Sequence, residues 1–134
     1  MVLGSRFLGG GTLAGGMPRY KYIGNRFLTT VENKVLGADF TELHTGYRAY
    51  SRSFLETIPF LRNANDFSFD TQVIAQAVVF EQRIVEVPVS TRYFDDASST
   101  SFSQSVVYGL ETLGVMTQLA AHRAGVWKSR RFKA

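Results

Sequence analysis

The 134-residue sequence contains no cysteine, only two histidines, three prolines and a single tryptophan. Without cysteine there is no disulfide framework and no thiolate metal site, a pattern that fits a reducing compartment. The two histidines, His44 and His122, lie far apart with no metal-ligand spacing around them. There is no Asp-x-Asp, no Gly-x-Ser-x-Gly elbow and no Gly-Lys-Ser/Thr phosphate loop. Taken alone, the residues supply neither a metal set nor an activated nucleophile. No apolar run approaches the ~20 residues that span a bilayer, and the first residues lack the long apolar core of a secretory leader. Acidic residues are missing from both ends. Arg6, Arg19, Lys21 and Arg26 precede the first of them, Glu32, and Arg123, Lys128, Arg130, Arg131 and Lys133 follow the last, Glu111. A net charge of +4 therefore hides basic ends around an acidic middle. Such segregation points to anionic partners at the ends: phosphate, lipid head groups or nucleic acid.

What is present is the composition of a folded chain, 45% hydrophobic and 13% aromatic, of a length that suits one domain with one core. "VLGSRF" reads as a buried strand, and the glycine-rich Gly9 to Pro18 as loop. Ile23, Phe27, Val31 and Val35 recur at i, i+4, which predicts one stripe of an amphipathic helix over Tyr20 to Leu36, stopped by Gly37. "ELHTGYRAYS" reads as a strand with a bend at Thr-Gly, and Ser53 to Ile58 as a short helix ended by Pro59. Val73, Ile74, Ala77 and Val78 predict a buried helix. "RIVEVPVSTRY" alternates, with Val85, Val87, Val89 and Tyr93 on one face, and Pro88 makes it an edge strand or one that meets a bulge. "FDDASSTSFSQ" reads as polar loop, and Val106 to Ala124 as the last helix, with Leu110 and Leu113 facing inward. Alternating strands and helices make the class α/β. So few strands leave sheet edges exposed, an opening for self-association.

Several stretches carry candidate chemistry, each with a plain alternative. Gly9 to Ala14 fits G-x-G-x-x-G/A formally, but Gly15, Gly16 and Pro18 forbid the helix that a dinucleotide site needs. The tract reads instead as a mobile substrate loop or a plain linker. Asp66 and Asp70 enter a helix on an aromatic background; they are either capping carboxylates or a general base. Arg6, Arg48 and Arg92 sit on or at the ends of predicted strands, where arginine either pairs with an acid such as Glu86 or reaches a phosphate. The tail sets Trp127 and Phe132 among basic residues, which suits a membrane surface, nucleic acid or a frayed end.

Together, "GSRF…GGMPRYKYIGNRFLT", "HTGYRAYSR", "FDTQVIAQA" and "RIVEVPVSTRYFDDASS" resemble, in order and spacing, the C-terminal half of family 2 glycosyltransferases of the dolichyl-phosphate mannosyltransferase type. The likeness runs from about Val2 to Gly125. It implies a partial GT-A (nucleotide-diphospho-sugar transferase) fold over residues 1–125, a mixed sheet with flanking helices, followed by a basic aromatic tail over 126–134. It also implies that the nucleotide-binding half, with its Asp-x-Asp and its Mg or Mn, is absent here, so that this chain binds no cofactor and is inactive alone. The implied reaction is inverting transfer of a sugar from a nucleotide sugar to a polyprenyl or dolichyl phosphate. The implied place is the cytoplasmic face of a membrane, held peripherally. By the resemblance Arg6, Lys21, Arg26 and Arg92 would contact the acceptor phosphate, Thr45, Gly46 and Arg48 would line the sugar pocket, and Asp70 would lie near the reaction centre. The family's usual glutamate in that last element is Gln72 here. A basic α/β module binding anionic lipid or nucleic acid without catalysis is the alternative, with lipid favoured over nucleic acid.

Overall fold

A computed structural model describes residues 1–91 and 101–133. Arg92 and Tyr93, at the end of the expected alternation, lie outside the described residues. The chain is α/β: strand β1 (Val2–Ser5), helix α1 (Arg19–Leu36), strand β2 (Arg48–Ala49), helices α2 (Arg52–Thr57) and α3 (Phe69–Val79), strand β3 (Val85–Pro88) and helix α4 (Phe102–Arg123). Single 3-10 turns lie at Phe60–Arg62 and Arg130–Phe132. The three strands form one mixed sheet in the order β2-β1-β3, with β1 antiparallel to β2 and parallel to β3. Pro88 ends the edge strand β3 opposite Ser5, where a missing N–H costs no ladder bond to a further strand. In β1, a Cβ on Gly4 would come within 2.9 Å of Val89 and 3.1 Å of Tyr47, so the glycine of Gly-Ser-Arg lets two neighbouring segments close on the strand.

The core sits under the sheet. Leu3, Leu43, Ile74, Met116 and Leu119 pack together there, and Phe132 of the basic tail joins them. Helix α3 runs through the middle, buried from Thr71 to Ala77. Its polar side chains are satisfied inside: Gln72 donates to Ser68 Oγ and accepts from Ala64 N–H, and Gln76 bridges Pro59, Arg131 and Asn63.

Four expectations need correction. The apolar stripe of α1 does not face the core: Ile23 is 66% and Phe27 59% exposed, while Asn25, Thr29 and Glu32 are buried. The buried stripe is polar because it meets charged groups from the loop after α1. In α4, Leu110 is 65% exposed, and Thr112, Val115, Met116 and Leu119 form the inward face. That helix also begins earlier than expected, at Phe102. Ser101 caps it, accepting from Gln104 N–H while the Gln104 side chain accepts from Ser101 N–H. The expected strand "ELHTGYRAYS" shrinks to Arg48–Ala49, because the backbone of residues 41–45 bonds side chains instead of a neighbouring strand. Gly9 to Pro18 is loop, as its glycines predict. It closes into turns, with Gly15 N–H donating to Gly11 O, Thr12 Oγ1 to Arg6 O, and Met17 buried.

Candidate functional site

An open cavity of about 770 Å³ lies between the end of β1, helix α1, the 44–48 loop, the start of α3 and the first turns of α4. Its size is that of a small-molecule site. Arg6, Lys21, Thr45, Gly46, Arg48 and Asp70 all line it, so one cavity gathers residues that stand far apart in sequence. Arg26 is not among its lining residues. Its guanidinium lies over the Phe7 ring at 5.7 Å and reaches Thr41 O at 3.4 Å. Arg92 lies outside the described residues.

The two arginines of the cavity are held from behind. Arg6 follows β1 and clamps Glu42, donating its backbone N–H at 2.7 Å and Nε at 2.8 Å, with Nη2 also on the carboxylate. Asn25 donates to the same carboxylate at 2.8 Å and accepts from Thr29. Glu42 is fully buried, and this many donors are what a buried carboxylate needs. Glu86, on β3, accepts from Thr41 N–H, Thr41 Oγ1 and Glu42 N–H, so it fixes the loop carrying Glu42, and it pairs with no arginine among the described residues. Arg48 donates to three backbone carbonyls, of Leu43, Thr45 and Asp70, and lies 3.4 Å from Asp70 Oδ1. Its side chain is 4% exposed; it shapes the wall more than it reaches into the space. Lys21, by contrast, has no ion-pair partner among the described residues.

The pair Asp66 and Asp70 divides its roles. Asp66 accepts from Ser68 N–H and Ser68 Oγ at the entry to α3, and these bonds hold its carboxyl below the usual carboxylate range. Asp70, one turn on, faces the cavity beside Arg48.

Sequence reasoning singled out neither Glu32, Glu42 nor Tyr108, and set His44 aside for want of a ligand spacing. His44 and Tyr108 line the cavity. His44 Nδ1 is 2.7 Å from the Tyr108 hydroxyl, and its Nε2 is 2.7 Å from the Glu32 carboxylate. Burial first, and the Glu32 charge second, push the Tyr108 phenol up to about 12. No local pattern marks these residues, since Glu32 and His44 meet only because the loop after α1 folds back on that helix. The buried polar stripe Asn25–Thr29–Glu32 was a readable signal: those positions share a helix face.

The resemblance puts its divalent metal in the nucleotide-binding half. Among the described residues no group of three His, Cys, Asp or Glu side chains could hold one.

In comparisons with known proteins, the chain is similar to a low-salt glycan biosynthesis hexosyltransferase of Haloferax volcanii, 33% identical over 91 residues. The match takes in 67% of this chain but spans only 21% of the relative. It relates the chain distantly to the glycosyltransferases. No protein-family model matches the chain, and no solved structure gives a significant match.

Proposed function

We propose that this chain forms the acceptor side of a glycosyltransferase that passes a sugar, with inversion, from a nucleotide sugar to a polyprenyl or dolichyl phosphate. One observation carries the reading: Arg6, Lys21, Thr45, Gly46, Arg48 and Asp70 line a single cavity of ligand size. An ionised acceptor phosphate is already a nucleophile. Its oxygen forms the new bond to the sugar's anomeric carbon as the bond to the nucleotide diphosphate breaks, so the protein must chiefly position and neutralise. Lys21, without an ion-pair partner among the described residues, is the cation best placed for the phosphate. Arg6 adds positive charge from its clamp on Glu42, and Asp70 faces the reacting centre. On this reading the sugar nucleotide and its metal are held by parts of the enzyme other than these residues.

The lipid half of the reading has its own support. Tyr20, Ile23 and Phe27 on α1, and Phe102, Val106 and Leu110 on α4, are all exposed. The two helices pack together, and the Tyr20 and Phe102 rings meet at 5.5 Å. Arg19, Lys21 and Arg26 flank this apolar face. An apolar face rimmed by basic residues at a cavity mouth suits a peripheral membrane contact. Among the described residues no helix is long and apolar enough to cross a membrane.

The test is co-sedimentation of the chain with neutral vesicles, with and without polyprenyl phosphate, at two salt concentrations. Binding should rise with the lipid phosphate and drop on Lys21→Ala. Binding indifferent to the lipid phosphate, or displaced by RNA, would favour the non-catalytic basic module.

A further inference from the structure

A buried polar chain runs from α1 to the cavity, and the proposed transfer uses none of it. Glu32 is fully buried, and neither of its carboxylate oxygens has a directed hydrogen bond among the described residues. His44 Nε2, itself without a directed hydrogen bond, lies 2.7 Å from that carboxylate and makes its one ion-pair contact among the described residues. On its other edge, Nδ1 meets the Tyr108 hydroxyl at 2.7 Å, with the two rings edge to face at 86°. Tyr108 stands on α4 and lines the cavity with His44. The other charges bearing on the phenol are Arg48 and Asp70.

A carboxylate beside Nε2 favours the tautomer with its proton on Nε2. Nδ1 then has a lone pair, and the Tyr108 O–H donates to it. This is the orienting logic of a carboxylate–histidine–hydroxyl triad. Here its consequence concerns binding. The phenol's proton is spent on His44, so a ligand that reaches the phenol oxygen meets only lone pairs. A ligand hydroxyl, which can donate, fits there. An ionised phosphate oxygen, which only accepts, does not, and its place is the Lys21 side.

We propose that Tyr108 contacts the ligand by accepting a hydrogen bond from a sugar hydroxyl, with His44 and Glu32 as positioning residues behind it. This rests on the sugar-transfer reading and divides its cavity into a hydroxyl-reading side and a phosphate side.

The first measurement is the nitrogen-15 spectrum of the histidine rings in the full chain at mildly alkaline pH, with His122→Asn assigning the two. His44 should carry its proton on Nε2, and Glu32→Gln should remove that bias. A ring protonated on Nδ1 overturns the proposal without any variant having to fold. The second is titration with methyl hexosides and, separately, with inorganic phosphate. A hexoside should move the His44 signals, and Tyr108→Phe should weaken its binding roughly three- to tenfold, the effect of one lost hydrogen bond, while phosphate-induced shifts at Lys21 stay unchanged. Hexosides that leave His44 unmoved, or bind the phenylalanine variant equally well, overturn it. Hexoside contact with Tyr108 alongside no preference for polyprenyl phosphate would remove the lipid acceptor and keep this assignment. The converse would remove this assignment alone.

Discussion

Arg6 and Glu42 show how much of the site is structural in a single pair. Glu42 has no exposure to solvent, and removing one partner of a buried pair strands the other's charge. Glu42→Leu should cost about 3–5 kcal/mol in urea denaturation, enough to unfold a marginal domain. Arg52→Ala, which breaks the exposed i,i+4 pair with Glu56, should change stability by less than about 0.5 kcal/mol. Asp66 gives a pH signature. Its folded pKa is depressed, so its contribution is present above the ordinary value of 3.8 and fades as pH falls through the folded value. Asp66→Ala should therefore lose under about 1 kcal/mol at neutral pH, and the gap to the parent should close in strongly acidic urea titrations. At this scale the sequence displays what lies in short contiguous motifs, such as Gly-Ser-Arg and Thr-Gly-Tyr-Arg. Pairs joined only through space, Arg6 with Glu42 and His44 with Tyr108, leave no spacing to read.

Helices α1 and α4 carry the lesson of elements. Periodicity reported both, and Gly37 stops α1 in the left-handed conformation as expected, at φ 71°. Gly37→Ala should cost about 1 kcal/mol in thermal denaturation. What periodicity could not report is which stripe faces in. In α1 the apolar stripe is outside, because Asn25 and Glu32 have buried partners in the 41–45 loop, Glu42 and His44, and Thr29 donates to Asn25. In α4 the difference is testable within one residue type. Leu119→Ala, at 0% exposure, should cost about 2–5 kcal/mol, whereas Leu110→Ala, on the outer face, should be nearly neutral. The strand expected over residues 42–51 shrank for a related reason: the Glu42 N–H goes to Glu86 and the Leu43 and Thr45 carbonyls to Arg48, and neither bond is encoded by alternation.

For the whole molecule, the class and the edge position of β3 were legible, since alternating elements state the first and a proline in an alternating run narrows the second to an edge or a bulge. The outward apolar face of α1 and α4 was not, and it sets the expected behaviour at a membrane. A Phe27→Ser/Leu110→Ser variant should partition onto vesicles roughly a hundredfold less than the parent while keeping its fold, since each side chain gives up about 1.5 kcal/mol of burial. Circular dichroism and co-sedimentation on the same samples check both halves. The sheet order also dictates a sequence of events in time. Central β1 pairs Val2 with Ala49 on one side and with Val85 on the other. The strand that organises the core must therefore wait, unpaired on that second side, until more than eighty further residues have been made. Long-range closure of this kind is slow. Refolding should run on the millisecond-to-second scale typical of non-local sheets, and the nascent chain should depend on protection of its apolar first strand until β3 arrives.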